Sequence, residues 1–134
     1  MSRFVILALV LALLSGCGPA RPKKVLVSGT VTMDGKPLQR GEIYFTVPEG
    51  GTAPDVLQVA DGKFEGKVTV GKKRVEISSP QPVPTRPGAV QMGPPEVLNL
   101  VHEDYNINSK LTAEVSEGSL DPSHFEVKSN RSAR

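Results

Sequence analysis

Few side chains in this sequence can do chemistry, and one of them stands apart. Cys17 is the only cysteine among 134 residues. A lone thiol excludes an internal disulfide framework and a cysteine-based zinc site. It leaves one strong nucleophile suited to thioether formation. The two histidines, His102 and His124, lie 22 positions apart. An iron site built from His and Tyr needs closely spaced histidines, and the alternation around His124 turns it outward. Glu103, Asp104, Asn106 and Asn108 gather oxygen donors in one stretch. Calcium takes about six to eight such oxygens in a dedicated loop, and that loop spacing is missing, so turn chemistry is the expected role. Neither a Gly-x-Ser-x-Gly elbow nor a Gly-x-x-x-x-Gly-Lys-Ser/Thr phosphate loop is present. The expectation is a protein that is not an enzyme and that needs no cofactor or metal. Lys72, Lys73 and Arg74 form a basic run expected to be solvated or to guard a sheet edge with charge. There is no Trp, and alternation assigns Phe45, Phe64 and Phe125 inward. Tyr44 and Tyr105 are left as candidate ligand contacts, with Tyr105 expected against the edge of the fold.

The surroundings of Cys17 give its thiol a use. Met1-Ser2-Arg3 is a short positive start, and Phe4 to Leu14 is an unbroken apolar run. That run is too short for a membrane span, which needs about 20 apolar residues, and has the length of a secretory signal core. Leu14-Ser15-Gly16-Cys17 follows and resembles the lipobox of bacterial lipoproteins. The resemblance implies cleavage between Gly16 and Cys17, a diacylglyceryl group on the Cys17 sulfur and an acylated new amino terminus. Two or three acyl chains anchor a protein stably where one does not. The expected organisation is a signal peptide over 1–16, a lipidated Cys17 with a tether to residue 24, a β-domain over 25–129, and a disordered tail over 130–134. The expected location is the bacterial cell envelope, at the outer membrane or facing the periplasm. Gly18 is not an acidic residue of the kind that favours inner-membrane retention. Arg21, Lys23 and Lys24 can either touch anionic headgroups or remain solvated linker charges.

The elements that must hold these residues are strands. Gly at 13 and Pro at 12 residues exclude a helical bundle, because element interiors reject both. A formal net charge of +2 argues against a nucleic-acid partner, which demands a marked basic excess. From residue 25 the apolar period is two: Val25, Val27, Gly29, Val31 and Met33, then a turn at Asp34-Gly35. Ile43, Phe45 and Val47 form the next inward set, followed by Val56 to Ala60 and a second turn at Asp61-Gly62. Phe64, Gly66, Val68 and Val70 alternate with polar residues, as do Val75 and Ile77. Leu111, Ala113 and Val115, then Phe125 and Val127, complete about seven strands. Residues 80–100 hold Pro80, Pro82, Pro84, Pro87, Pro94 and Pro95, a density that predicts a long loop without strand or helix. The fold class is all-β, with a single sandwich favoured because most strands have one polar face.

The order of these motifs carries a second resemblance. Val27-Ser28-Gly29-Thr30-Val31, Asp34-Gly35-Lys36-Pro37-Leu38 and Gly41-Glu42-Ile43-Tyr44-Phe45 resemble the opening of carboxypeptidase regulatory-like domains, a transthyretin-like (prealbumin-like), Ig-like group of sandwiches. Asp61-Gly62-Lys63-Phe64 is similar to the family's second turn. Val70 to Ile77 is similar to its Gly-x-Tyr-x-Val-x-Ile strand, with Lys73 where an aromatic is usual. Tyr105-Asn106, Ser109, Leu111-Thr112, Val115 and Phe125 resemble the close of small bacterial lipoproteins with this domain. The resemblance implies a non-catalytic binding or scaffolding role, the partner being an envelope protein or a glycan.

Overall fold

The computed structural model describes Gly18 and residues 21–130; Gly16, Cys17 and the signal segment lie outside the described residues. Alternation does what the sequence pattern implies. The seven anticipated strands are β1 (Lys24–Met33), β3 (Arg40–Thr46), β4 (Asp55–Ala60), β5 (Lys63–Thr69), β6 (Gly71–Ser78), β9 (Leu111–Ser116) and β11 (His124–Val127). Four short strands bring the total among the described residues to eleven: β2 (Lys36–Pro37), β7 (Pro80–Pro82), β8 (Val97–Asn99) and β10 (Ser119–Asp121). Among the described residues the only helical element is one 3-10 turn at Glu103–Tyr105.

The pairing departs from two separate facing sheets. One sheet runs β10-β9-β6-β3-β4-β5-β1-β11, with β2 paired to β1. Every pairing in it is antiparallel except that of β1 with β11. The physical reason for its closure lies in the chain. The edge strands β10 and β11 are joined by Pro122 and Ser123 alone, so the two edges must meet and the sheet must curl. At that seam Thr30 N donates to Ser123 O at 2.9 Å, and β1 touches both β9 and β10. The concave face encloses the core, including Val31, Ile43, Phe45, Val68, Val75, Ile77 and Val127, all essentially inaccessible. Phe64 links Phe45 and Phe125 through ring centroids 6.2 and 6.3 Å apart, within the range of favourable aromatic pairs.

Both Asp-Gly turns have positive φ at both residues: 52° and 81° at Asp34-Gly35, 50° and 75° at Asp61-Gly62. That geometry matches the twist of a two-residue hairpin, and Gly makes its second position cheap. The turns mark one pole of the curled sheet, because β1 ends at the first and β4 at the second. The tether enters at the other pole, where Lys24 pairs with Thr69. With 10 residues in β1 at about 3.3 Å each, the poles are about 30 Å apart.

The proline-rich segment requires a correction, since it contains a small antiparallel ribbon. β7 pairs β8 in the register Pro80↔Asn99, Gln81↔Leu98 and Pro82↔Val97. Leu100 N donates to Ser79 O at 3.0 Å and Val83 N to Glu96 O at 2.9 Å. By antiparallel alternation the ladder uses residues 79, 81 and 83. Pro80 and Pro82 fall on the positions whose N–H would point away, so the ladder loses nothing to them. The ribbon continues from Ser79, at the end of β6, and so projects from the pole opposite the tether.

Candidate functional site

The tether pole is held by paired charges. Lys23 forms an ion pair with Glu117 in the β9–β10 turn. Lys24 Nζ donates to Asp55 Oδ1 at 2.6 Å, while Asp55 Oδ2 accepts from Thr69 N at 2.9 Å and Thr69 Oγ1 at 2.7 Å. Burial pushes the Asp55 carboxyl up, but the bonds from Lys24 and Thr69 outweigh it and hold the group below its usual value. Lys23 and Lys24 are thus engaged within the domain, while Arg21 is exposed.

Tyr44 and Tyr105 do not converge. Tyr44 lies on the outer face of β3 and donates its hydroxyl to Glu42 Oε2 at 2.5 Å. Glu42 also accepts from Gln58 Nε2 at 3.1 Å. These two bonds hold Glu42 below the usual carboxylate range, and the bond to Glu42 together with burial pushes Tyr44 up to about 12. A hydroxyl reaching two residues back along one strand lays the ring along the sheet. Tyr105 instead packs half-buried against the core. Between them stand Glu76, in register with Tyr44, and Arg74. The latter donates to Ser109 O at 3.0 Å and Ile107 O at 2.8 Å and pairs with Glu76 at 3.1 Å.

The basic run does not behave as one unit. Lys72 is exposed and Arg74 half-buried, but Lys73 is buried at 3% exposure. Strand alternation is the reason: Lys73 shares the inward face with Val75 and Ile77, opposite Ala113. His124 is exposed, as its alternation requires, and bonds Thr30 Oγ1 through Nδ1 at 2.7 Å. His102 caps the 3-10 turn, its Nδ1 accepting from Asp104 N at 3.3 Å, and Glu103 O accepts from Asn106 N and Asn108 N, so the backbone of the oxygen-rich stretch is folded into a tight turn. Among the described residues no three His, Cys, Asp or Glu side chains gather as a metal site would require.

The far pole holds the feature that motif reading missed. Where the β1–β2 hairpin meets the base of the ribbon there is a pocket of about 460 Å³. Met33, Leu38 and Leu100 supply apolar lining, Gln39 and Gln81 supply amides, and Lys36 and Arg40 supply cations. Asp34 also lines it, with Oδ1 accepting from Ser129 N at 3.1 Å. Neither Lys36 nor Arg40 has an ion-pair partner among the described residues. In the sequence these residues read as turn grammar, and no spacing singled them out as a site. Beyond the pocket the ribbon exposes Val90 at 86% and Met92 at 94%.

Among the described residues no helix is long and apolar enough to cross a membrane. No family model, curated protein or solved structure matches this chain.

Proposed function

We propose that this protein is a lipid-anchored component of the bacterial envelope whose transthyretin-like β-domain is a non-catalytic binding or scaffolding module. Lipid on Cys17 attaches it to the membrane, and the pole carrying the ribbon meets a partner protein. The observation that carries the reading is the separation of the two poles. The chain leading from Cys17 enters beside Lys24, and the pocket and the ribbon sit about 30 Å away along β1. An anchored domain of that shape holds its binding end clear of the bilayer. The alternative, a carbohydrate-binding module using Tyr44 and Tyr105, has less support. One ring lies on the outer face, the other packs against the core, and Glu76 and Arg74 stand between them.

Envelope fractionation of the full chain and of Cys17→Ala tests the anchor. The native protein goes with membranes and labels with a fatty-acid analogue; the variant does neither. Cross-linking in whole cells, with and without residues 82–95, tests the binding end. A soluble native protein, or a partner set unchanged by the deletion, overturns the respective half of the reading.

A further inference from the structure

We infer that the pocket at the base of the ribbon takes an acidic, extended peptide segment of a partner protein. The inference rests on the reading of the far pole as the binding end and names the chemistry of what binds there.

Charge comes first. Lys36 and Arg40 line one pocket, both are exposed, and neither is paired among the described residues. Three other cations of the domain are used internally: Lys23 on Glu117, Lys24 on Asp55 and Arg74 on Glu76. Two free cations over a shared pocket attract carboxylates. They are too few for a polyanion, and Asp34 in the same lining opposes a densely charged ligand such as a nucleic acid. Two separated carboxylates of an acidic segment match that distribution.

The remaining lining calls for a peptide. Met33 and Leu100 are half-buried, and Leu38 is buried behind them, which makes room for one apolar side chain between the carboxylates. Gln81 is half-buried in the same lining, and its carboxamide makes no hydrogen bond among the described residues. An amide that both donates and accepts is suited to a peptide bond; the Gln39 carboxamide, whose Nε2 already donates to Pro37 O at 3.4 Å, keeps its oxygen and a second N–H for the same use. The ribbon restricts how the ligand can lie. Pro80 and Pro82 remove the N–H groups from the outer edge of β7, so a segment beside it meets carbonyls there and gains its donors from Gln39 and Gln81.

The test uses the full-length protein in detergent micelles, with amide and methyl NMR signals of Gln81 and Leu100 as the readout. The probes are three capped peptides: Asp-Leu-Glu, its neutral counterpart Asn-Leu-Gln, and Lys-Leu-Lys. The acidic peptide shifts both residues, more weakly as salt shortens the range of exposed charges, and the other two do not. The double variant Lys36→Glu with Arg40→Glu weakens the acidic peptide roughly tenfold, given the modest worth of each exposed pair, and accepts the lysine peptide instead. Both side chains are exposed, and unchanged core methyl signals show that the variant is folded. Equal binding of the acidic and neutral peptides, or acidic binding that survives charge reversal, overturns the inference. Anionic vesicles that shift the same signals while the acidic peptide does not overturn it in favour of lipid. If all three peptides fail while the deletion of 82–95 still removes a partner from whole cells, the peptide chemistry is wrong and the binding pole stands. If the deletion also changes nothing, both fall.

Discussion

Asp55 fastens the start of β1, and its removal can be worked out bond by bond. One oxygen serves Lys24 and the other serves Thr69 through two donors. Asp55→Asn keeps an acceptor for Thr69 and loses only the charge opposite Lys24. Lys24 is about half exposed, so solvent screens that pair and its loss costs about 0.5–1 kcal/mol. Asp55→Ala removes both acceptors. The Thr69 N–H and hydroxyl are then short of a partner, which adds about 1–3 kcal/mol. Urea unfolding at pH 7 therefore ranks Ala well below Asn, with Lys24→Met close to Asn. The sign with pH follows from the lowered pKa of the folded state. Above the unfolded value of 3.8 the Asp55 contribution is fully present. As pH falls through the folded value, the unfolded chain binds the proton first and the contribution is lost. Asn does not ionise, so the gap between native protein and Asp55→Asn closes on acidification from pH 6 to below 3.8. Equal costs for Ala and Asn, or a gap that does not change with pH, would refute the bond assignment.

Three further outcomes follow from the packing. A Cβ at Gly29 would sit 2.3 Å from Ser123 O and 2.5 Å from the Phe64 ring, whereas at Gly66 its closest neighbour is the Leu57 methyl Cδ2 at 2.3 Å. Gly29→Ala therefore costs about 2–3 kcal/mol by thermal unfolding, and Gly66→Ala less, since a methyl end moves more readily than a backbone carbonyl. Lys73→Met replaces a side chain that is 3% exposed and has no ion-pair partner among the described residues. Its unfolding free energy stays level or rises, since Met keeps the apolar stem packed, and a fall of more than about 1 kcal/mol would show that the Lys73 amine makes a required contact. Tyr44 in the native protein resists ionisation until about pH 12. Ultraviolet titration of Glu42→Gln brings that transition down toward the ordinary value of 10.0.

The parts of the fold that could be read in advance are those with a short period. Strand faces follow from alternation, and both Asp-Gly turns follow from residue type, because neither depends on distant chain. Sheet closure does not show in any window, since it depends on a two-residue link between edge strands that are far apart in the sheet. The ribbon was hidden for a different reason. Proline density reads as a break until the register is known, and only the register shows that Pro80 and Pro82 occupy positions with no ladder bond to lose. Lys73 was hidden inside a basic run, where charge suggested a common fate for three residues that a period of two divides. The pocket at the ribbon base draws on residues 33–40, 79–81 and 100. No sequence spacing joins them.

The division between poles also bears on how the proposed binding module would change its partner. Every core residue belongs to the curled sheet, its hairpins or the Val101 bridge, while the ribbon beyond Pro82 buries none. Substitutions from 83 to 96 therefore leave the core untouched. Exposed positions tolerate change within about 0.5 kcal/mol. The pocket is different, because Leu38 is both lining and core. Its floor is fixed by stability, and its rim at Lys36 and Arg40 is not. Recognition can then vary in charge at the rim and in shape along the ribbon, with the apolar floor held constant. A set of rim variants that alter binding without moving the unfolding midpoint, beside Leu38→Ala costing about 2–5 kcal/mol, would separate the two roles. Rim variants that unfold the domain would show that the pole is part of the scaffold.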